Sequence, residues 1–171
     1  MSQLIFQPAL DPFHAIFRVA RILGHFDEPI VQDKVRIMDF YLLFPFRIRT
    51  MRLMPRHQKF KRLSIIYASL TPYGEQPEPP LLFGRMEPMQ LAAFETLASK
   101  FYINPSALAS GLVQKTERDL PSEVAERASA LNEAQPDLME FLGVLASEYD
   151  LTGENGLKAR SGLMEYRYDA V

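Results

Sequence analysis

A chain of 171 residues that is 47% apolar and 23% charged has the composition of one folded globular domain, in two tightly packed halves at most, and not of a disordered one. It contains no cysteine, which excludes a disulfide framework, thiolate zinc sites and thiol catalysis, and suits a reducing cytoplasm. The net charge of −2 hides an uneven distribution: residues 45–62 carry seven basic side chains and no acidic one, whereas residues 75–171 carry eight basic and sixteen acidic.

The first residues, MSQLIFQPALDPF, lack the basic stretch and apolar run of a signal peptide. The longest strongly apolar stretch, Phe40 to Phe46, is far shorter than the roughly 20 residues of a membrane span. A cytoplasmic protein with no membrane partner is expected.

Asp11-Pro12 reads as an N-cap followed by proline at the first helical position. Phe13, Ile16, Phe17, Ala20 and Leu23 recur at helical spacing, so a helix is expected over 11–23, ending at Gly24. Asp27-Glu28-Pro29 forms a turn. A second helix is expected from about Ile30 to Phe44, with Val31, Val35, Met38 and Leu42 on one stripe and Pro45 as its stop. Arg47 to Leu70 is expected to be helical in two pieces around Pro55. Thr71 to Pro80, with four prolines and Gly74, is expected as a long loop of about 71–80 between two helical halves.

A further helix is expected from Glu87-Pro88, carrying Met89, Ala93, Phe94, Leu97 and Phe101, and a shorter one over Ser106 to Thr116. Pro121 and Pro136 each open another; in the last, Leu138, Phe141, Leu142 and Leu145 follow i, i+3, i+4, i+7 spacing. After a turn at Thr152 to Gly156, the alternation of Met164, Tyr166 and Tyr168 with Leu163, Glu165 and Arg167 reads as a short terminal strand. The expected fold is mainly α, about six helices with a small C-terminal β element. A winged-helix-like arrangement is one form of it and a simple helical bundle the other.

No catalytic motif emerges. His14, His25 and His57 share no metal-ligand spacing and none has an acidic neighbour in sequence to orient it. Phosphate-binding glycine loops and the Gly-x-Ser-x-Gly elbow are missing. Carboxylate pairs such as Glu117/Asp119 and Glu123/Glu126 fit a solvated helix face. No catalytic residue, cofactor or metal is expected.

Two regions are candidates for contact. The basic segment Arg47, Arg49, Arg52, Arg56, Lys59, Lys61 and Arg62 could meet DNA phosphates, an acidic partner or the chain's own acidic half. α-Helical spacing would put Arg52, Arg56 and Lys59 on one face. The terminal motif Gly156 to Asp169 offers Arg160, Glu165 and Arg167 as a docking patch, or closes the domain as an edge strand.

Three stretches carry a resemblance: Asp11-Pro12-Phe13-His14-Ala15-Ile16-Phe17-Arg18 with Arg21-Ile22-Leu23; Asp33 to Pro45 (DKVRIMDFYLLFP); and Gly156 to Asp169 (GLKARSGLMEYRYD). Together with Leu82-Phe83-Gly84-Arg85-Met86 they resemble the middle components of bacterial ABC-three-component systems, the small subunits of Lamassu-type anti-phage defence operons. The resemblance spans residues 11 to 169. It implies a non-catalytic accessory subunit, bridging or restraining an SMC-like ATPase subunit and a nuclease-type effector subunit in a hetero-oligomer. The alternative reading is a winged-helix-type DNA-binding transcriptional regulator that contacts DNA through segment 47–62. An enzyme of unknown type would need titrating groups gathered in space.

Overall fold

The computed structural model describes residues 7–168. Helix α1, Pro12–His25, begins as its sequence dictates: Asp11 Oδ1 accepts from the His14 amide at 2.9 Å and Pro12 occupies the first turn. It runs through Gly24, beyond the expected stop, and the Phe26 amide closes it on the Ile22 carbonyl. Ile30–Val31 forms strand β1 where the first turn of the second helix was expected. It pairs antiparallel with β2, Leu112–Val113, in the register Ile30 to Val113 and Val31 to Leu112. Helix α2, Gln32–Leu43, follows and stops before Pro45.

The segment after Pro45 is helical in two pieces around Pro55, but mostly with a tighter winding than an α-helix. Pro45–Thr50 and Pro55–Arg62 are 3-10 helices, then come the short helix α3, Leu63–Ile66, and a 3-10 turn Ala68–Leu70. In a 3-10 helix side chains three apart eclipse. The buried residues obey that period: Pro45, Ile48 and Met51, then His57, Phe60 and Leu63.

Helix α4 spans Pro79–Ser99, eight residues earlier than the expected start at Glu87. Pro79-Pro80 occupy the first turn, where amide donors lack intrahelical partners in any case. Pro88 lies inside, and Leu82, Phe83 and Met86 before it and Gln90, Ala93, Phe94 and Leu97 after it are buried. Asn104 Oδ1 caps α5, Pro105–Ala109, accepting from the Ser106 and Ala107 amides. The helix expected over Ser106 to Thr116 ends here, because Gly111, at φ +80°, turns the chain into β2.

Helices α6, Ser122–Ala134, and α7, Pro136–Glu148, follow their prolines, and α8, Leu157–Ser161, ends at Gly162 in the left-handed conformation. The expected C-terminal β element is corrected: Leu163 to Tyr168 is irregular, with a turn only at Arg167-Tyr168, and the sheet lies at β1–β2. Glu165 Oε1 accepts from the amides of Tyr166 (3.0 Å) and Arg167 (2.9 Å), capturing donors that a strand ladder would need. With that strand goes the wing that favoured a winged-helix arrangement. Asp169, the end of the terminal motif, lies outside the described residues.

Helix α1 packs on α4 and α6, and α2 packs on α7. Rings carry much of the core: Tyr41 and Phe60 both meet Phe141, at 6.0 and 5.3 Å between centroids, while Phe40 meets Phe44 and Phe83.

Candidate contact surfaces

The basic segment folds against the chain's own acidic half. The three-residue period of Pro55–Arg62 sets Arg56, Lys59 and Arg62 in one row, instead of the α-helical row Arg52, Arg56 and Lys59. That row faces α7. Arg56 meets Glu148 at 3.1 Å, Lys59 meets Glu140 at 2.7 Å and Arg62 meets Asp137 at 3.6 Å. Each pair is solvent-exposed and contributes about 0–1 kcal/mol. Their larger effect is on the surface potential, because three of the seven cations are matched by carboxylates.

The other four differ. Arg47 is half-buried beside Phe44 and Phe46 and donates to the Pro77 carbonyl at 3.4 Å; burial lowers its pKa, with Glu78 opposing. Lys61, whose pKa is also lowered by burial, donates to the carbonyls of Arg49 and Met51. Arg49 is exposed. Arg52 Nη2 donates to the Glu154 carbonyl at 2.5 Å.

Arg52 also joins the two regions that the sequence left separate. Its amide donates to the Arg160 carbonyl at 2.9 Å, and Arg160 Nη1 donates back to the Arg52 carbonyl at 2.9 Å. Arg160 Nε holds the Asn155 carbonyl, and its guanidinium lies 5.6 Å from the Tyr149 ring centre. Arg160 is thus a clip, while Glu165 and Arg167 remain exposed.

His57, which has no acidic neighbour in sequence, is buried and has one in space. Its Nδ1 lies 2.9 Å from the Tyr149 hydroxyl and its Nε2 3.2 Å from Glu148 Oε2, while the Met54 amide donates to the same hydroxyl at 2.9 Å. The carboxylate is supplied 91 residues away in sequence, beyond the reach of a local motif.

The largest feature that sequence reasoning missed is a buried polar chain across α1, α2 and α4. Arg18 Nε and Nη2 donate to the two Asp39 oxygens at 2.6 and 3.1 Å. Gln90 Nε2 donates to Asp39 Oδ2 (2.8 Å) and to the Arg36 carbonyl (3.1 Å), and Arg36 Nε donates to Gln90 Oε1 (3.0 Å). Arg36 continues to Asp33 and Glu87, at 3.1 and 2.6 Å, and its guanidinium covers the Phe83 ring. A second tie fixes α1 to α6: Arg21 donates to Asn132 Oδ1 (2.9 Å) and Gln135 Oε1 (2.7 Å).

His14 borders this chain. Arg18 Nη1 donates to its Nδ1 at 2.6 Å, which requires an unprotonated acceptor. Burial, then the Arg18 charge, lowers its pKa from 6.5. The unfolded chain therefore binds the proton more tightly. Stability from this group is present above pH 6.5 and is lost as pH falls through the lowered folded value. Thermal unfolding followed across that range should show a steeper acid-side loss in the wild type than in His14→Gln. Parallel profiles would contradict this assignment.

Among the described residues no group of three or more His, Cys, Asp or Glu could hold a metal ion, and no helix is long and apolar enough to cross a membrane. A hollow of about 560 Å³ between α1, α6 and α7 is lined by Ala20, Ala128, Asn132 and Met139 among others.

The row of ion pairs predicts a gain of function. Asp137→Asn with Glu140→Gln should let duplex DNA bind at low salt where the wild type does not. The logarithmic salt slope should be about −1.8, for two phosphates neutralised. Fluorescence anisotropy measures it; no gain in affinity would show that these carboxylates do not mask the cations.

No curated protein and no solved structure matches the chain significantly. The family model described as ABC-three component (ABC-3C) system Middle Component 5 matches residues 4–169, nearly the whole length and all three motif stretches. The chain belongs to this family, the middle components of ABC-three-component systems.

Proposed function

We propose that this chain is a non-catalytic, cytoplasmic accessory subunit of an anti-phage complex of Lamassu type, in which it bridges or restrains an SMC-like ATPase and a nuclease-type effector. Family membership supports a role beside other components of one system. The observation that carries the protein-contact reading is the row Arg56–Glu148, Lys59–Glu140 and Arg62–Asp137. A chain whose basic segment is closed on its own acidic helix is poorly suited to hold phosphates by itself. The competing reading, a DNA-binding regulator, keeps only the cations outside that row.

The test is a protection assay in cells carrying the complete operon. Removing this gene alone should abolish resistance to phage, while replacing Arg49, Arg52 and Lys61 with Gln should not abolish binding of DNA by the assembled complex. Full protection without the gene would refute the accessory role. DNA binding by the isolated chain at physiological salt, lost in that triple variant, would favour the regulator.

A further inference from the structure

The turn that opens α8 carries an Asn-Gly pair, Asn155-Gly156, and an asparagine before glycine can react with its own main chain. Glycine has no Cβ to obstruct its nitrogen, and the ring that forms has five members, so the two groups meet at the high effective concentration of an intramolecular step. The chain has three asparagines, and the other two are protected. Asn104 precedes Pro105, whose nitrogen has no proton to lose. Asn132 lies inside α6 with both ends of its amide held by Arg21: Oδ1 accepts from Nε at 2.9 Å, and Nδ2 donates to the Arg21 carbonyl at 3.0 Å. Asn155 is exposed.

Arg160 holds this turn shut. Its Nε donates to the Asn155 carbonyl at 2.5 Å, and its Nη2 donates to Asn155 Oδ1 at 3.4 Å. The Gly156 amide, whose nitrogen would attack, donates to the Gly153 carbonyl at 3.1 Å. Gly156 is buried against the Thr152 and Leu151 carbonyls with no room for a Cβ. Closing the ring breaks the Gly156–Gly153 bond and moves both oxygens of Asn155, so the turn must loosen first.

We propose that Asn155 is a self-modification site, and that Arg160 sets its rate by guarding the turn. The Gly156 nitrogen gives up its proton and bonds to Asn155 Cγ. The Cγ–Nδ2 bond breaks, and Nδ2 leaves as ammonia with that proton. Water then opens the cyclic imide at either carbonyl. One opening leaves aspartate; the other leaves isoaspartate, in which the main chain runs through the former side chain. Water is the only co-reactant. Both products alter the clip that joins the two contact regions. Aspartate sets a carboxylate beside the Arg160 guanidinium. Isoaspartate adds a methylene to the main chain of a tightly packed turn, which draws the Arg160 carbonyl off the Arg52 amide, now 2.9 Å away.

The experiment holds the freshly purified full chain at mildly alkaline pH, below its melting temperature, and samples it over days. Peptide mass spectrometry reads amide-to-acid conversion at each asparagine, and labelling by protein isoaspartyl methyltransferase reads isoaspartate. Conversion should be confined to residue 155, include isoaspartate, and run slower than in the chain unfolded by denaturant. Asn155→Gln, whose longer side chain would have to close a six-membered ring, should show none. Arg160→Gln and Arg160→Lys, compared where circular dichroism shows them folded, should both convert at least ~10-fold faster, because opening the turn then costs one charge-assisted hydrogen bond less. Lysine keeps the charge and loses the fork, so the pair separates the hold from the field. Amide exchange at Arg52 should quicken in the aged wild type. An Asn155 that stays intact in the folded wild type while the unfolded chain converts overturns the site. Equal or slower conversion in the two Arg160 variants overturns the guard.

Discussion

Replacing Asp39 with Ala is expected to destabilise the protein by about 3–5 kcal/mol, the cost of leaving a buried charge without its partner. Asp39 is 0% exposed and Arg18 is 2% exposed, so water cannot take over the lost interactions. The substitution strips Arg18 of two of its hydrogen bonds and removes one of the two acceptors of Gln90 Nε2 at once. The three groups belong to α1, α2 and α4, so the damage spreads across the core rather than to one helix end. At roughly 2–4 °C per kcal/mol for a chain of this size, the melting temperature should drop by about 6–20 °C. Unfolding in denaturant should remain one cooperative transition, as expected of a single domain. The double variant Arg18→Leu with Asp39→Leu should recover much of the loss, because a matched apolar pair carries no uncompensated charge. A loss below about 1 kcal/mol for Asp39→Ala would mean that Arg18 finds water or another acceptor.

Gly156→Ala is expected to have the second largest effect, on the order of 3 kcal/mol. A methyl group there would lie 2.2 Å from the Thr152 carbonyl oxygen and 2.6 Å from that of Leu151. Those atoms are backbone, and their turn is fixed: the Leu157 amide donates to Asp150 O (2.8 Å), Lys158 to Leu151 O (3.1 Å) and Gly156 to Gly153 O (3.1 Å). The turn must open, and α8 with the Arg160 clip must shift with it. Amide exchange at Arg52, whose N–H is bonded to the Arg160 carbonyl, should therefore quicken even though residue 52 is far off in sequence. Gly162→Ala is the contrast. Gly162 has open space around it but a φ of +68°, so only the left-handed conformation is penalised, about 1 kcal/mol. Equal effects at the two positions would contradict the close approach at Gly156.

Helix starts that depend on a cap and a proline were legible in the sequence. Asp11-Pro12, Pro121 and Pro136 all stand where helices begin. Three features depart from the sequence pattern. α-Helical spacing misplaces the faces of the basic segment, because a strict period of three, His57–Phe60–Leu63 within and Arg56–Lys59–Arg62 without, is the local sign of a 3-10 helix. The terminal alternation looked like a strand because side-chain pattern alone says nothing about whether a neighbouring strand exists to pair with. Helix α4 begins before Glu87 because prolines are tolerated in a first turn, so Pro79-Pro80 open the helix rather than extend the loop. The polar chain through Arg18, Asp39, Gln90 and Arg36 has no local signature, since its hydrogen-bonded partners lie 21 to 54 residues apart. Arg18, Arg36 and Asp39 did lie within the motifs that carried the family resemblance, and their burial gives those motifs a structural reason. Of the candidate contact residues, position in sequence could not tell Arg56, Lys59 and Arg62, which are matched by α7, from Arg49, which is not.

The central claim is that this chain works through protein contacts with the other components of its system. The direct measurement is affinity purification of the tagged chain after co-expression with the components encoded beside it, at physiological salt and after nuclease treatment. The account predicts a stoichiometric complex that survives nuclease, and an isolated chain that does not retain duplex DNA. A chain that elutes alone, or whose partners are lost when nucleic acid is removed, would contradict it.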